Sequence, residues 1–184
     1  MIVVYVALGV VALLALSLVV MYNRFVRQRT LVDESWGGID VELTRRHELI
    51  PNLVTTVQGY ADHERAVLEN LTRAREAATA HKGGGPAERQ QYEESVGRAL
   101  TEVLARVEAY PDLKASQNFL DLQDELTNTE DRIAASRRFY NGNVRAYNTR
   151  VATFPSNVVA GMFGFEARQF FELTDANARS APAV

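Results

Sequence analysis

The sequence predicts an all-α protein in which an N-terminal transmembrane helix precedes a set of long, packed helices. Three observations predict this fold class. Residues 1–23 are apolar and uncharged, a heptad-like pattern of apolar residues follows, and the 184-residue chain contains only 5 prolines and 11 glycines. The alternation of apolar and polar residues typical of β-strands is rare. Because a heptad pattern places apolar side chains on one face, each helix needs a partner along that face.

The first segment, MIVVYVALGVVALLALSLVVMYN, contains no charged side chain. Its first twenty-two residues would form a helix of about 33 Å, and the hydrocarbon core of a bilayer measures about 30 Å. A cleaved signal peptide normally has a basic n-region and a shorter apolar core. We therefore expect residues 1–23 to be a membrane span that is not removed.

Basic residues lie on one side of this span. Arg24, Arg27 and Arg29 follow it directly, and basic residues flanking a span stay in the cytoplasm. We expect a single-pass protein of the cytoplasmic membrane, with its N-terminus outside and the bulk of the chain in the cytoplasm. The same three arginines could also bind anionic lipid.

The longest heptad-like run begins at Val32. Alternating steps of four and three residues reach fourteen positions, twelve of them apolar or aromatic: Val32, Trp36, Ile39, Leu43, Arg46, Ile50, Leu53, Val57, Tyr60, Glu64, Val67, Leu71, Ala74 and Ala78. Pro51 falls inside this run and should kink or break a helix. Two architectures remain open: one long helix bent near Pro51, which the local sequence favours, or two helices joined by a tight corner at Ile50–Pro51. In either one, Asn52 is expected to be a turn or cap residue.

The sequence predicts two later interruptions of the helices more clearly. The sequence HKGGGP at residues 81–86 predicts a turn at which the helix reverses. A second helix should occupy residues 87–109 and end before Pro111, because the apolar pattern changes phase there. The last long helix should extend to about Val151, with Gly142 as a weak point in its middle.

The C-terminal part of the chain differs in composition. Residues 154–171 hold five of the eight phenylalanines, and Ser156 or Asn157 could cap a short helix that ends at the following glycines. We expect this segment to pack on the protein, with an apolar patch for a partner or the membrane as the alternative. The predicted organisation is a span at 1–23, a bundle at 24–153, an aromatic segment at 154–171 and a frayed tail at 172–184.

Composition excludes several classes of function. The formal net charge of -3 gives no basic field for nucleic acid, so we expect no nucleic-acid partner. Cysteine is absent, which excludes disulfides and thiolate metal sites. No pattern predicts a cofactor.

Two His-Glu pairs, at His47 and His63, are the only candidates for a metal or hydrolase site. A metalloprotease places two histidines one helical turn apart with a third ligand nearby. Here the spacing of 16 residues separates them by about 24 Å along a continuous helix. They could approach each other only if the chain turned back near Pro51, so we expect no metal and no catalytic residue.

Arg46 and Glu64 are the two charged residues in the heptad run. A partly buried ion pair of this kind could act as a proton or ligand switch. The interpretation that we favour is structural: each residue leaves the apolar face or pairs with a residue of a facing helix and so fixes the register.

Two blocks of sequence resemble the LemA family of bacterial membrane proteins. They are RRHELIPNLV at residues 45–54 and FPSN at residues 154–157, within a resemblance that extends from about residue 22 to 171. The family-motif residues are Arg45, Arg46, His47, Pro51, Asn52, Phe154, Pro155, Ser156 and Asn157. The chain departs from the family pattern at Gly37, Gly38 and Gly142.

The resemblance implies a membrane helix followed by an antiparallel, four-segment helical bundle, and therefore favours two bundle segments that meet at Pro51. It supplies no catalytic residue. The sequence thus predicts a non-catalytic scaffold or adaptor for envelope proteins. The lipid bilayer and unidentified proteins are the expected partners, and a second copy of the chain could be another. The alternatives are a metal-assisted hydrolase that uses His47 and His63, and a signal-transducing helical stalk.

Overall fold

The computed structural model describes residues 1–60 and 64–173. These residues form six helices and contain no strand: α1 (Ile2–Gln58), α2 (Arg65–Ala80), α3 (Pro86–Val107), α4 (Pro111–Lys114), α5 (Gln117–Ala152) and α6 (Ser156–Phe163). The predicted all-α fold class is confirmed. Contacts divide the chain into a first unit, residues 1–37 and 139–169, and a second unit, residues 38–138 and the chain from 170 onward.

Helix α1 continues through Pro51, so the predicted corner at Ile50–Pro51 is wrong. A proline has no N–H, and the carbonyl of the residue four positions earlier therefore loses its helical donor. Here that carbonyl belongs to His47, and Nε of Arg75 from α2 donates to its oxygen at 2.7 Å. The side chain of Arg75 replaces the missing backbone donor. Asn52 consequently lies inside the helix, where it is neither a turn nor a cap residue.

The reversal occurs after Gln58 instead, so the prediction of one bent helix to about residue 80 is also wrong. The backbone N–H groups of Gly59 and Tyr60 donate to the carbonyls of Thr55 and Val57, and α2 starts at Arg65. Glycine is a poor helix former, which favours an end at this point. The heptad pattern concealed the interruption because Val57 and Glu64 are seven residues apart, so the pattern stays in phase across it.

The second unit contains four main helical segments: residues 38–58 of α1, α2, α3 and residues 117–138 of α5. They bury one continuous apolar cluster: Ile50, Leu53, Val57, Leu68, Leu71, Ala78, Val96, Ala99, Leu100, Val103, Val107, Leu113, Phe119 and Leu126. Full burial of a Val, Leu, Ile or Phe side chain contributes about 1.5–3 kcal/mol. The predicted number of bundle segments is therefore present, although the first division lies after Gln58.

The two later turns lie where the sequence predicts them. Helix α2 ends at Ala80 and α3 starts at Pro86, whose missing N–H costs nothing in a first turn. Helix α3 ends at Val107, and Pro111 opens the short helix α4. The last long helix, α5, continues through Gly142 to Ala152.

The first unit is built from residues 2–37 of α1, residues 139–152 of α5, helix α6 and the chain that follows α6. Tyr140 of α5 lies beside Trp36, with ring centroids 5.4 Å apart, and Tyr147 lies 6.1 Å from Phe25. The residue numbers rise along α5 as they fall along α1, so the two helices are antiparallel. Phe165 then stacks on Phe25 at 4.7 Å with an interplanar angle of 11°.

The segment after α6 is held along α5 by hydrogen bonds between side chains of α5 and its backbone. The side-chain amide of Asn148 donates to the carbonyl of Arg168 at 2.8 Å and its oxygen accepts the N–H of Arg168 at 2.8 Å. The hydroxyl of Tyr140 donates to the carbonyl of Gln169, also at 2.8 Å. These bonds satisfy an extended stretch that has no strand partner.

Residues 154–171 match the prediction only in part. Gly164 ends α6 in the left-handed conformation, with φ 69°, as predicted. Ser156 is the first helical residue rather than a cap; its hydroxyl donates to the carbonyls of Arg150 and Thr153, and Asn157 caps nothing either. Phenylalanines 165 and 171 are buried, whereas 154, 163 and 170 are exposed. The domain boundaries remain predictions, and residues 174–184 of the tail lie outside the described part.

Candidate functional site

A network of charged side chains lies in the core of the second unit. Helix α1 supplies the neighbours Arg46 and His47, and α3 supplies Glu93. One oxygen of Glu93, Oε2, lies 2.5 Å from Nη2 of Arg46 and 3.1 Å from Nε2 of His47. The other oxygen lies 3.4 Å from Nη2 of Arg89, which is one helical turn earlier on α3. A single carboxylate therefore joins two arginines and a histidine.

Two further carboxylates complete this charge network, which comprises Asp40, Arg46, His47, Arg89, Glu93 and Glu130. Nη1 of Arg46 donates to Glu130 of α5 at 2.9 Å, and Nη1 of Arg89 donates to Asp40 of α1 at 2.5 Å. Lys82 lies 3.7 Å from the other oxygen of Asp40. Two arginines and a histidine thus face three carboxylates, and the network links three helices of the bundle.

Most of these side chains are shielded from water. Arg46 is 2% exposed, Glu93 is 1% exposed and His47 is 8% exposed. An ion pair withdrawn from water loses its hydration, so it is tolerated only when the geometry is good and further hydrogen bonds satisfy the charges. Here Glu93 has three cationic or ring N–H partners, and Arg46 reaches two carboxylates.

The network keeps its arginine and its central carboxylate ionised. Burial alone would lower the pKa of Arg46, but the charges of Glu130 and Glu93 outweigh it and raise that pKa above its ordinary value. Burial alone would raise the pKa of Glu93, but the hydrogen bond with His47 and the charge of Arg46 outweigh it and lower that pKa. An ionised carboxylate only accepts hydrogen bonds, so Nε2 of His47 carries the proton and donates to Glu93.

These contacts bear on the alternative of a metal site at His47 and His63. Nε2 of His47 is committed to Glu93, and His63 lies outside the described residues. Within residues 1–60 and 64–173, no group of three or more His, Cys, Asp or Glu side chains could hold a metal ion.

The other predicted site residues are distributed over both units. Arg24, Arg27 and Arg29 are exposed in the first unit, where the guanidinium of Arg29 lies 5.8 Å from the ring centre of Phe165. Arg45 pairs with Glu125 at 2.7 Å in a partly exposed ion pair. The remaining family-motif residues that lie at the surface are Pro51, Asn52, Phe154, Pro155 and Asn157, whereas Ser156 is partly buried.

The two charged residues of the heptad run both meet facing helices. Arg46 joins the charge network, and Glu64 accepts a hydrogen bond from the hydroxyl of Tyr110 at 3.1 Å and lies 3.8 Å from Nε of Arg106. This arrangement is what the register interpretation predicts for a heptad position with a charge.

Sequence reasoning missed Arg89, Glu93 and Glu130. A signal for two of them was present, because steps of four and three residues backward from Val96 reach Glu93 and Arg89. The apolar face of α3 therefore begins with two charges. Charges at such positions on two different helices, with opposite sign, predict a cross-helix pair.

The N-terminal part of α1 is the second functional feature. This helix is long and apolar enough to cross a membrane, and the rest of the protein buries none of its most apolar stretch. Large apolar side chains from Met1 to Val20 stand exposed. Such a surface is stable in hydrocarbon and unfavourable in water.

Comparison with known proteins gives a consistent group of relatives. The sequence profile described as "LemA family" matches residues 35–184. "Magnetosome protein MamQ 2" of Paramagnetospirillum magneticum is 28% identical over 189 residues, which cover 90% of this chain and 69% of the relative. "Magnetosome protein MamQ" of Magnetospirillum gryphiswaldense is 26% identical over 191 residues, covering 90% and 70%. "Protein LemA" of Metamycoplasma hominis is 28% identical over 140 residues, covering 75% and 63%.

Proposed function

The chain belongs to the LemA family, and from this premise we propose that it is a single-pass protein of the cytoplasmic membrane. Its helical bundle lies in the cytoplasm and acts as a non-catalytic scaffold or adaptor for other envelope proteins. The uncharged, exposed start of α1 supports the anchor. Arg24, Arg27 and Arg29 support the orientation, because basic residues beside a span stay in the cytoplasm.

One observation carries the non-catalytic part of the proposal. The buried polar groups of the second unit, centred on Glu93, are paired with one another across three helices. A general acid or base must reach a substrate proton, and a catalytic carboxylate or imidazole is therefore at least partly accessible. Glu93 and His47 are instead used to join α1 to α3. What remains for function is the outer surface of the bundle, which suits docking of other proteins.

Crosslinking in the intact membrane tests the scaffold. A photo-reactive amino acid is placed at Arg73 on α2 or at Glu102 on α3, two exposed positions of the second unit. We expect each position to capture a small, reproducible set of envelope proteins, and the same position without irradiation to capture none. Specific hydrolysis by the pure protein that is lost on His47→Ala would contradict the proposal.

Single cysteines test the orientation, because the natural chain has none. A membrane-impermeant maleimide should label Arg73→Cys only after the cells are opened. Labelling in intact cells would place the bundle outside and would contradict the predicted topology.

The hydrolase alternative has its own discriminator. Elemental analysis of the purified full chain should find no stoichiometric zinc, because His47 already donates to Glu93. Stoichiometric zinc that is lost on His63→Ala would favour the hydrolase.

The stalk remains a second candidate because α1 is uninterrupted from Ile2 to Gln58. A signal-transducing stalk needs two populated positions of α1 against its neighbours. Spin labels at Glu48 of α1 and Glu102 of α3, both in the second unit, report that distance by pulsed electron resonance. One narrow distance favours the scaffold, and two resolved distances favour the stalk.

A further inference from the structure

We propose that helix α6 lies in the membrane interface and inserts its exposed apolar face into one leaflet of the bilayer. This is the leaflet that surrounds the C-terminal end of the span in α1. The inference rests on the proposed membrane anchoring of α1. It adds a second site of lipid contact, which comes from the opposite end of the sequence.

Helix α6 presents an apolar face that is mostly exposed. Phe154 just before the helix, Val158 and Met162 follow one another at intervals of four residues and are 77%, 51% and 65% exposed. Phe163, beside Met162, is 52% exposed. Residues four apart lie on the same face of a helix, so Val158 and Met162 form one exposed patch on α6, and Phe154 precedes the helix. The buried residues of α6, Val159 and Ala160, lie on the face that also carries Phe163.

The first unit places this patch at the end of the predicted span. The ring of Phe163 lies 4.9 Å from that of Tyr22, and the ring of Phe165 lies 5.7 Å from it. Tyr22 is the last aromatic residue of the uncharged segment 1–23. Within residues 1–21, only Ser17 and Met21 are partly buried, one helical turn apart and one turn before Phe25. Helix α6 therefore lies level with the last turns of the span.

The path of α5 leads to the same level. Tyr147 lies beside Phe25, and α5 then continues toward the N-terminal end of α1 as far as Ala152. Five residues of helix add about 7.5 Å along the axis. The start of α6 is thus carried past Phe25 toward Met21, in the uncharged segment of α1.

The distribution of charged residues around α6 favours lipid as the partner of its exposed patch. No charged residue occurs from Val151 to Phe165; Arg150 precedes this stretch, Glu166 follows it, and Arg24 and Arg27 follow the uncharged start of α1. An apolar helix face bordered by basic residues is typical of helices that lie in the headgroup region, where phosphates neutralise the arginines. Phenylalanines, here Phe154 and Phe163, are common among the apolar residues of such interfacial segments. The patch is also continuous with the segment that the membrane already surrounds.

Fluorescent labels in lipid nanodiscs test the inference with the full chain. Single cysteines replace Val11 in the span, Met162 on α6 and Glu34, an exposed residue of α1 beyond the span, and each carries the polarity-sensitive dye NBD. The discs hold phosphatidylcholine and phosphatidylglycerol, with or without a lipid that bears a nitroxide quencher near the headgroup or, for the label at Val11, near the end of the acyl chain. Circular dichroism should give the wild-type helix content for each variant.

We expect the label at Met162 to emit at shorter wavelength than the label at Glu34 and to be quenched severalfold more strongly by the nitroxide lipid. Equal emission and quenching at the two positions would overturn the inference. So would a shift to shorter wavelength without quenching, because it would mean that protein, such as a second copy, covers α6.

The label at Val11 separates this inference from the proposed anchor. A quenched label at Val11 with an unquenched label at Met162 leaves the anchor intact and rejects the lipid contact of α6. An unquenched label at Val11 rejects both.

Discussion

The helices within each of the two units are held together by a different kind of contact. The first unit joins its helices through aromatic rings, among them Phe25, Tyr147 and Phe165. The second unit joins α1 to α3 and α5 through the charge network around Glu93, beside an otherwise apolar core. Apolar contacts tolerate small shifts of one helix along another, whereas an ion pair specifies which turn meets which. The comparison indicates that the first unit gains stability from burial and that the second unit also fixes its register.

The largest expected effect follows from removal of the central carboxylate. Glu93→Ala leaves Arg46 with one carboxylate and His47 without an acceptor in a buried site. Removal of one partner of a buried ion pair costs about 3–5 kcal/mol. Chemical denaturation of the detergent-solubilised full chain, followed by circular dichroism, measures the loss.

Glu102→Ala is the matched control, because it makes the same change at an exposed position of the same helix. It should alter the free energy of unfolding by less than about 0.5 kcal/mol. If the two variants had equal stability, the charge network would contribute nothing to the second unit.

The second prediction concerns the proline in α1. Arg75→Ala removes the donor to the carbonyl of His47 and leaves a partly buried acceptor unpaired, which costs about 1–3 kcal/mol. In a Pro51→Ala background the backbone N–H of residue 51 is restored and can donate to the same carbonyl. Arg75→Ala should then cost much less, and thermal melting of the four proteins measures the difference. Equal losses in both backgrounds would show that Arg75 does not compensate for the proline.

This proline marks the limit of what the sequence could predict about the fold. The helical class, the reversal at residues 81–86 and the end before Pro111 follow from local composition and were predicted. The passage of α1 through Pro51 depends on Arg75, which is 24 residues away and comes from another helix. A local pattern carries no information about such a donor. The reversal after Gln58 was concealed because the heptad phase is the same on both sides.

The candidate site was predictable to a similar extent. Arg46 was recognised as a charge at a heptad position, and its pairing with a facing helix follows from the cost of burying a lone charge. Its partner Glu93 could have been found from the pattern of α3. The bond between Glu93 and His47 could not, because it depends on how the bundle aligns α1 with α3.

Coupling energies compare the two units directly. A double-mutant cycle on Arg46→Met and Glu93→Ala should give a coupling of about 1–3 kcal/mol, because the second change removes a charge that has already lost Arg46 as a partner. The corresponding cycle on Phe25→Leu and Phe165→Leu in the first unit should give about 0.5–1.5 kcal/mol, the range for aromatic pairs. A smaller coupling in the second unit than in the first would contradict the comparison.

Acidification should weaken the charge network of the second unit. The pKa of Glu93 is lower in the folded protein than its ordinary value of 4.5, so the unfolded state takes up this proton first. The contribution of Glu93 is present in full above about pH 4.5 and falls, by at most about 1.4 kcal/mol per pH unit, as the pH drops through the folded pKa. The difference in stability between wild type and Glu93→Gln should therefore shrink below pH 4.5. Parallel curves at all pH values would show that the folded-state pKa is not lowered.

The smallest effect tests whether the first unit depends on packing alone or also on helix propensity. Gly142 is exposed within α5, and a Cβ built there meets nothing within 4 Å. Gly142→Ala should raise the free energy of unfolding by about 0.5–1 kcal/mol, because alanine loses less backbone entropy in a helix. Gly164→Ala is the opposing control: its site is equally open, but its φ of 69° strains a residue with a Cβ, so it should lower stability. Suppose instead that Gly142→Ala had no effect while Gly164→Ala destabilised the protein. The measured unfolding would then depend on the end of α6 and not on the helix propensity of α5, which carries Tyr140 and Tyr147.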